Sequence, residues 1–270
     1  MHAVVLLKEI LDWELPASRF RVDAEAKRPA ADLGPTLLGP FEQNALELAL
    51  KLRDGGAVDR ITAVLAGPGD SVDALRKALA LRCDEAVHVV WDGIDTADPS
   101  QVAELLVAAI RRLDAPELVL AGRQAGDWDH GQVGYLVAER LGWAAAGLVL
   151  QAEQSGDRLL VRRAAVGGVE QLAVRPPAVL TVTSDPSLVL RMGSVMDRMA
   201  ANKKPIERWT TEELGLTADR LAAASRLRLE RVWVPEVERR CEVIDGDDPG
   251  EVAATVLARL EELKLLTRSA

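Results

Sequence analysis

Histidine, cysteine and aromatic residues are scarce in this chain of 270 residues. The three histidines, His2, His88 and His130, are scattered along the sequence, which argues against a histidine-rich metal site. The two cysteines, Cys83 and Cys241, are far apart and lack metal-ligand spacing, which suits a reduced cytoplasm. The net charge of −9 argues against a nucleic-acid partner, because phosphate binding requires a basic face. No cluster of side chains suggests acid–base or nucleophilic catalysis.

Long apolar runs are also missing, although 49% of the residues are hydrophobic and can form a substantial core. No run reaches the roughly 18 apolar residues that a membrane span needs. The N-terminal apolar run has no basic segment before it and no small-residue cleavage site after it, so it predicts a first strand rather than a signal peptide. We therefore expect a cytoplasmic protein that does not insert into a membrane.

Apolar runs that suit buried strands alternate with segments of helical periodicity over the first 140 residues. The predicted strands are 3–7, 61–65, 86–90 and 117–121, and a helix is predicted to open at Pro40. This alternation predicts an α/β fold, with a mostly parallel sheet covered by helices on both faces. Asp70 and Ser71 are predicted to cap the helix after the second strand.

The periodicity changes after residue 148. Four strand-like runs, 148–153, 157–163, 169–174 and 178–183, predict an antiparallel meander added to the sheet. The division into domains is predicted from the same change.

We expect a nucleotide-binding α/β domain over 1–206, with a recognition segment near 184–206. That segment holds three methionines within 192–199, a composition that suits either an adaptable docking surface or a buried helix with gap-filling side chains. Residues 207–270 are predicted to be an arm ending in a helix over 251–266, which packs on a partner subunit or on the chain itself.

The loop after the fourth predicted strand has the composition of an anion site. It contains Gly126 and Gly131 beside two acidic residues, and a helix starts at Gln132. Free backbone N–H groups and the positive end of a helix favour an anion there, often a phosphate. No lysine follows these glycines and no G-x-G-x-x-G follows the strand, so the loop is neither a P-loop nor a Rossmann fingerprint. His130 is predicted to be a surface loop residue.

Two interpretations of this loop remain open at this stage: a nucleotide site of a less familiar kind, and an ordinary strand-to-helix turn. Two other loops are predicted at the same sheet edge, at Leu7 and Lys8 and at 66–68. Ligands on parallel sheets bind beyond the carboxyl ends of the strands, where these three loops meet. Their small and polar residues favour the nucleotide interpretation.

Five blocks, in this order, carry a resemblance to a known family. They are Gly-Pro-Phe-Glu-Gln-Asn-Ala-Leu-Glu at 39–47, Ala-Gly-Pro at 66–68 with Lys-Ala-Leu-Ala at 77–80, Gly-Arg-Gln-Ala at 122–125 continuing to Gln-Val-Gly at 132–134, Gly-Gly-Val-Glu-Gln-Leu at 167–172 followed by Pro-Ala-Val-Leu-Thr at 177–181, and Lys-Lys-Pro-Ile at 203–206. Together they resemble the β subunit of an electron transfer flavoprotein of the FixA type, over essentially the whole chain.

The resemblance implies an adenine nucleotide alpha hydrolase-like core in an electron carrier subunit rather than a stand-alone enzyme. It implies an α subunit that holds most of an FAD, which carries electrons from acyl-CoA-type or other dehydrogenases to a quinone oxidoreductase or another acceptor. It also implies a second nucleotide in this chain, either AMP or a second FAD. The sequence identifies neither the electron donor nor the acceptor.

The resemblance further implies which residues contact ligands. The residues carried over to the nucleotide are Leu6, Lys8, Gly39, Phe41, Ala66, Gly67, Ala125, Asp127, Asp129, Gly131, Gln132, Val133 and Gly134. Val195 stands at the docking anchor, where leucine is usual, and Met196 and Met199 lie beside it.

The chain departs from the family at several of these positions. Gly39 and Gly131 stand where asparagine is frequent, and Val133 stands where AMP-binding members have threonine. A threonine hydroxyl can bond a phosphate and valine cannot, so a simple AMP site loses a donor here. Gln-Val-Gly at 132–134 resembles members that hold a second FAD, so the resemblance favours a second FAD slightly over AMP. Ala164 and Val166 replace acidic residues, which leaves open how this chain contacts the mobile flavin domain.

Three functions other than that of an ordinary electron carrier fit parts of this sequence. An electron-bifurcating subunit that uses NADH would share the whole sequence pattern. A nucleotide-binding sensor module of the universal-stress type would share the core, but it would lack residues 207–270. A scaffold with a degenerate nucleotide site would explain the departures from the family.

Overall fold

The computed structural model describes residues 1–91, 98–236 and 241–266. The chain forms two compact units, Met1–Val232 and Trp233–Ala270, and the first unit runs past the boundary near 206 that the sequence analysis drew. The predicted arm, 207–270, includes residues 237–240 and 267–270, which lie outside the described part of the chain.

Strands and helices alternate through the first unit. The strands are β1 (His2–Leu7), β2 (Glu9–Leu11), β3 (Val22–Asp23), β4 (Arg28–Pro29), β5 (Thr36–Leu38), β6 (Arg60–Gly67), β7 (Glu85–Val90), β8 (Leu118–Gly122), β9 (Ala144–Ser155), β10 (Arg158–Ala165), β11 (Gly168–Val174), β12 (Ala178–Val182) and β13 (Glu207–Thr210). The α-helices of both units are α1 (Pro40–Asp54), α2 (Asp73–Ala80), α3 (Pro99–Arg112), α4 (Val133–Leu141), α5 (Val195–Ala201), α6 (Ala218–Ala224) and α7 (Pro249–Glu262).

Nine strands form one sheet in the order β11-β10-β9-β12-β8-β1-β6-β7-β13. The seven strands from β9 to β13 in this order are parallel, and β10 and β11 continue the sheet with antiparallel pairing. The structure therefore confirms the predicted α/β fold with a mostly parallel sheet. After β1 the chain adds β6 and then β7 on one side of β1. It then crosses to the other side of β1 and adds β8, so the strand order reverses between β1 and β8.

Helices cover both faces of this sheet because the central strand is apolar on both sides. In β1, Ala3, Val5 and Leu7 join a core that also contains α1 and α2, whereas Val4 and Leu6 join a core that contains α3 and α4. All of β1 is buried. A strand buried on both faces is typical of parallel sheets, and here it fixes the sheet between two helical layers.

The predicted antiparallel meander is confirmed for β9, β10 and β11, which pair antiparallel in sequence order, and is wrong for β12. β12 lies between β8 and β9 and is parallel to both, so the antiparallel addition is the β10–β11 hairpin at the sheet edge. All five residues of β12 are buried, as in a central parallel strand. Local hydrophobicity does not report which strand a run pairs with, and this is why the meander was predicted.

The predicted cap of α2 is also wrong. The helix begins at Asp73, and its N-cap residue, Val72, makes no side-chain bond. The Glu9 carboxylate in β2 accepts the bond from the Ala74 N–H instead, at 2.8 Å. A residue 65 positions earlier therefore satisfies a first-turn donor that Asp70 and Ser71 were expected to satisfy.

The segment between β1 and α1 contains two short antiparallel pairs. β2 pairs with β5, and β3 pairs with β4. The β2–β5 pair brings the chain back to the start of α1, whose Gly39 N–H donates to the Lys8 carbonyl at 3.1 Å.

The end of the first unit adds β13 to the sheet beside β7, a pairing that was not predicted. The segment after α6 is held by Asp98, which caps α3 through the Ser100 N–H and accepts bonds from the Ser225 hydroxyl and the Arg226 and Leu227 N–H groups. Asp98 is fully buried, and these bonds satisfy its carboxylate.

In the second unit, Asp248 caps α7 by accepting a bond from the Gly250 N–H. Two leucines of this helix segment, Leu257 and Leu263, are more than half exposed. Arg259 pairs with Glu242 and Glu262. Across the ranges given above for both units, no helix is long and apolar enough to cross a membrane.

Candidate functional site

A cavity of about 920 Å³, including its open mouth, lies at the carboxyl ends of β1, β6 and β8. This is the edge where strand order reverses, and where parallel sheets bind ligands. Eight of the residues predicted to contact a nucleotide line it: Leu6, Lys8, Ala66, Gly67, Ala125, Gly131, Gln132 and Val133. The three loops that the sequence analysis placed at one edge therefore do meet there.

The other five predicted residues surround the cavity without lining it. Gly39 and Phe41 lie at the start of α1. Asp127 pairs with Lys8, Asp129 accepts a bond from Gln124 at 2.6 Å, and Gly134 is buried in the first turn of α4. Their positions suit shaping the wall rather than direct contact.

Two glycines at this edge allow close packing between elements. A Cβ at Gly122 would lie 2.9 Å from the Phe41 Cβ, so α1 could not pack at its present distance from the end of β8. A Cβ at Gly134 would lie 2.5 Å from the Thr181 Cγ2, so α4 would be displaced from β12. The walls of the cavity depend on both close approaches.

The departure from the family at Gly131 preserves the backbone. Gly131 has φ +63, in the left-handed region that favours glycine and that asparagine tolerates better than most residues. Asp129 is also left-handed, with φ +54. Asparagine tolerates this conformation, but its Cβ would lie 3.2 Å from the Arg123 carbonyl oxygen, so glycine fits here with less strain and offers no side chain to a ligand.

The start of α4 faces the cavity through Gln132 and Val133. Gln132 provides no side-chain cap, and the first backbone bond of the helix runs from the Leu136 N–H to the Gln132 carbonyl. The N–H groups of the first turn therefore have no acceptor within their own helix, and the helix dipole adds positive charge there. This end of the cavity suits an anionic group such as a phosphate.

Three side chains of the cavity wall were missed by the sequence analysis as site residues: Glu42, Arg123 and His130. Among the described residues, six buried side-chain nitrogen or oxygen atoms lack a hydrogen-bond partner. Glu42 Oε2, Arg123 Nε and His130 Nε2 are three of the six. Because unpaired buried polar atoms are costly, three of them in the side chains of one cavity wall favour a polar ligand there.

Glu42 is the most buried of the three, with 6% of its surface exposed. Burial raises the pKa of its carboxyl to about 7, a bond with its own backbone and the charge of Lys8 act to lower it, and Asp127 acts to raise it. A Cβ at Gly39 would overlap Glu42 Oε2, so any larger residue at position 39 would require the Glu42 side chain to move. Glu42 was not predicted as a cavity residue because an acid in the first turn of a helix usually interacts with the helix dipole in solvent.

Lys8 and Asp127 form an ion pair at the mouth, with both carboxylate oxygens 2.7 and 2.8 Å from Nζ. The two side chains are partly exposed. A pair of this kind contributes about 0–1 kcal/mol, so an incoming anion can compete for Lys8 at little cost.

Arg123 and His130 both contact aromatic rings. The Arg123 guanidinium lies 4.6 Å from the centre of the Phe41 ring, so Phe41 contacts the loop rather than the cavity. The rings of Trp128 and His130 are nearly parallel with centroids 6.2 Å apart, and both line the cavity. His130 therefore belongs to the cavity wall, contrary to its prediction as a simple surface residue.

A second region differs in character from the cavity. We call residues 191–202, which contain α5, the docking segment. Its large exposed apolar side chains are Met192, Val195, Met196 and Met199, at 89%, 63%, 81% and 62% exposure, and this excludes the alternative of a buried helix with gap-filling methionines. Ser194 and Asp197 form a capping box at the start of α5.

Ion pairs hold the docking segment to the α/β core. Arg191 donates to both carboxylate oxygens of the buried Glu47 in α1, the shortest contact being 2.8 Å, and also pairs with Asp54. At the other end, Arg76 of α2 donates to the Ala201 carbonyl at 2.9 Å. The exposed side chains are therefore presented from a fixed backbone.

Comparison with known proteins agrees with this arrangement. A family model described as the electron transfer flavoprotein domain matches residues 31–214. The electron transfer flavoprotein subunit beta of Clostridium acetobutylicum is 32% identical over 263 residues, which cover 97% of this chain and 98% of the relative.

Two further relatives show the range of the similarity. A caffeyl-CoA reductase–Etf complex subunit, CarD, of Acetobacterium woodii is 29% identical over 270 residues, covering 98% of this chain and all of the relative. Protein FixA of Azorhizobium caulinodans is 31% identical over 225 residues, covering 80% of this chain and 77% of the relative. The family model matches more than half of the chain, and the Clostridium relative aligns over nearly its whole length. This chain therefore belongs to the electron transfer flavoprotein family, among its beta subunits.

Proposed function

We propose that the chain is the β subunit of a heterodimeric electron transfer flavoprotein. It pairs with an α subunit that holds FAD, and it helps to pass electrons from a dehydrogenase of the acyl-CoA or another type to a quinone oxidoreductase or another acceptor. The observation that carries the proposal is the cavity at the sheet edge, where three unpartnered polar atoms converge in a chain of this family. Family membership favours this function over the universal-stress-type sensor module.

The flavin supplies the redox chemistry in such a complex, and the protein supplies orientation and electrostatics. This division suits a chain in which the described residues form no metal-binding cluster. The side chains of the present cavity would bind and position a nucleotide rather than react with it.

In this proposal the cavity holds the second nucleotide of the complex. The first turn of α4 and Lys8 would hold its phosphates, because they offer N–H donors and a cation at one end of the cavity. The Trp128 and His130 rings offer flat surfaces for a base. The unpartnered atoms make a degenerate scaffold the less favoured alternative.

A second FAD is slightly favoured over AMP as this nucleotide. The support is the resemblance of Gln132, Val133 and Gly134 to members of the family that hold a second FAD, and Gln132 and Val133 line the cavity at the start of α4. A bifurcating complex that uses NADH is the second candidate function. The CarD relative, which belongs to a complex with a caffeyl-CoA reductase, supports a reductase as an alternative partner.

We assign two surfaces to protein partners. Val195, Met196 and Met199 of the docking segment would contact the dehydrogenase, because they are apolar, exposed and fixed in position. The apolar face of α7 would pack on the α subunit. The cytoplasm, expected from the two free cysteines, is the proposed location.

Co-expression with the α subunit encoded in the same genome tests this function. The expected result is a 1:1 complex in size-exclusion chromatography with light scattering, carrying the absorbance of bound FAD. Replacing Leu257 and Leu263 by aspartate should weaken the complex at least about tenfold, since each leucine is more than half exposed on α7.

Ala258→Asp is the matched control for this test. Ala258 is also exposed, and helical geometry places it on the opposite side of α7 from these leucines. A chain that elutes apart from the α subunit, or a complex that is weakened equally by both changes, would argue against the proposal.

A further inference from the structure

We propose that the Glu42 carboxyl determines which charge the cavity accepts: a phosphate-bearing nucleotide binds when Glu42 is neutral, and its binding takes up a proton at Glu42. This inference rests on the proposed function, because it concerns the same cavity. It assigns to a residue of this chain a part in nucleotide recognition that the family resemblance does not carry over.

The position of Glu42 is the first observation. It is the third residue of α1, lines the cavity and is almost fully buried. Its Oε2 has no hydrogen-bond partner among the described residues. An acid at this position commonly bonds the N–H of the N-cap residue, but the Gly39 N–H donates to the Lys8 carbonyl instead.

The surrounding charged groups leave Glu42 without a cation of its own. Lys8, after β1, is held by both oxygens of Asp127 in the loop after β8. In the same loop, Arg123 lies over the Phe41 ring.

Two further titratable groups share the cavity wall. Glu9 in β2 accepts bonds from the Ala74 N–H and the Thr36 hydroxyl, each at 2.8 Å. The half-buried His130 stacks on Trp128. Glu42 is therefore the one acid of the wall with an oxygen that no donor satisfies, as far as the described residues extend.

A bound nucleotide would favour the neutral form of this carboxyl for two reasons. A ligand that fills the cavity removes water from Glu42, and desolvation penalises a charged carboxylate. Phosphate charge in the same cavity repels a carboxylate and leaves a neutral carboxyl unaffected. A neutral carboxyl also gains an O–H donor, which a phosphate or carbonyl oxygen accepts.

The direction of the pH dependence follows from these effects. The pKa of Glu42 is about 7 without a ligand, and a ligand that prefers the neutral form raises it further. Below this pH the carboxyl is already neutral and affinity is constant. Above it, binding requires protonation, so the dissociation constant rises by up to about tenfold per pH unit.

Isothermal titration of the full chain with FAD, and separately with AMP, tests this from about pH 6 to about pH 8.5. For the wild type we expect the dissociation constant to rise about tenfold or more between pH 7 and pH 8.5. We also expect close to one proton to be taken up per nucleotide at the upper pH, measured in buffers of different ionisation enthalpy.

Glu42→Gln should bind with no such rise and no such uptake, because its amide does not titrate. Glu42→Met is a second variant in case the amide impairs folding. Glu153→Gln is the control, since this exposed acid of β9 does not line the cavity, and its pH dependence should equal that of the wild type.

Each outcome separates this inference from the proposed function. A flat E42Q profile beside a steep wild-type profile supports both. If the dissociation constant changes with pH equally in the wild type, E42Q and E42M, the nucleotide site is supported and the role of Glu42 is overturned. If neither FAD nor AMP binds to the wild type or to the variants at any pH, both the nucleotide site and this inference are overturned.

Discussion

The cavity and the docking segment are the two regions that we propose for recognition, and their polar groups are arranged in opposite ways. Around the cavity, buried polar atoms of Glu42, Arg123 and His130 lack partners. In the docking segment, the polar groups are paired: Arg191 with Glu47, and Ser194 with Asp197. The apolar side chains show the reverse, since they are buried around the cavity and exposed on the docking segment.

The difference indicates what each region recognises. A small polar ligand is bound in a concave site whose unsatisfied groups it completes. A protein partner is bound by exposed apolar side chains, and these are most effective when the backbone that carries them is already fixed. The comparison therefore predicts that removing a polar group should stabilise the cavity and destabilise the docking segment.

The largest effect is expected at Glu42. Its pKa is about 7 in the folded chain and 4.5 for an ordinary glutamate, so folding is favoured at low pH and loses stability as pH rises from about 4.5 to about 7. This shift corresponds to about 3 kcal/mol. Glu42→Gln should remove most of it, making the variant about 2–3 kcal/mol more stable than the wild type at pH 8 and nearly equal at pH 4.

Urea unfolding of both proteins at the two pH values measures this difference. A stability difference that is the same at both pH values would contradict the burial of an ionisable Glu42. It would also remove the main contrast with the docking segment.

The next effect is expected at Gly122. Its replacement by alanine should lower the free energy of unfolding by about 1–3 kcal/mol, because the Cβ would contact the backbone of α1. Gly168→Ala is the matched control, since no atom lies within 4 Å of its added Cβ. It should change stability by less than about 0.5 kcal/mol. Chemical denaturation measures both free energies of unfolding. Equal losses in the two variants would show that the close approach of Gly122 to α1 is not required for stability.

In the docking segment, the corresponding effect on stability is expected at the Arg191–Glu47 ion pair. Arg191→Ala leaves the Glu47 carboxylate buried without its cation and should cost about 1–2 kcal/mol, less than a fully buried pair because Arg191 is partly exposed. The Glu47→Gln/Arg191→Ala double variant should recover part of this loss, which a double-mutant cycle measures. A fully additive result would mean that the pair does not hold the segment.

The smallest effect on stability is expected for the exposed methionines. Met196→Ser with Met199→Ser should change the free energy of unfolding by less than about 0.5 kcal/mol, because both side chains are exposed. Electron transfer from the partner dehydrogenase should slow by about tenfold, as for the loss of interface anchors. Val169→Ser, an exposed position in β11 outside the predicted recognition segment, should leave the rate unchanged. If it slows the rate equally, the contact is not specific to α5.

Much of the fold could be predicted because local pattern determined it. β1, β6, β7 and β8 are continuous apolar runs, and α1 starts at its predicted Pro-Phe pair. The features that failed depend on residues distant in the chain. β12 inserts between β8 and β9, and the first turn of α2 is satisfied by Glu9.

The cavity was predicted in part for the same reason. Its glycines and the start of α4 could be predicted because short-range backbone geometry requires them. Glu42 was missed because its burial depends on β8 and on the loop around Lys8, which lie at other places in the sequence.

The most direct test of this account is the nucleotide content of the complex. Acid releases bound nucleotides from the co-purified αβ protein, and chromatography identifies and counts them. We expect one nucleotide, FAD or AMP, in addition to the FAD of the α subunit. We expect this second nucleotide to be absent when Gly122 is replaced by alanine. One FAD and no second nucleotide would show that the cavity at the sheet edge does not bind one, and would contradict the central claim.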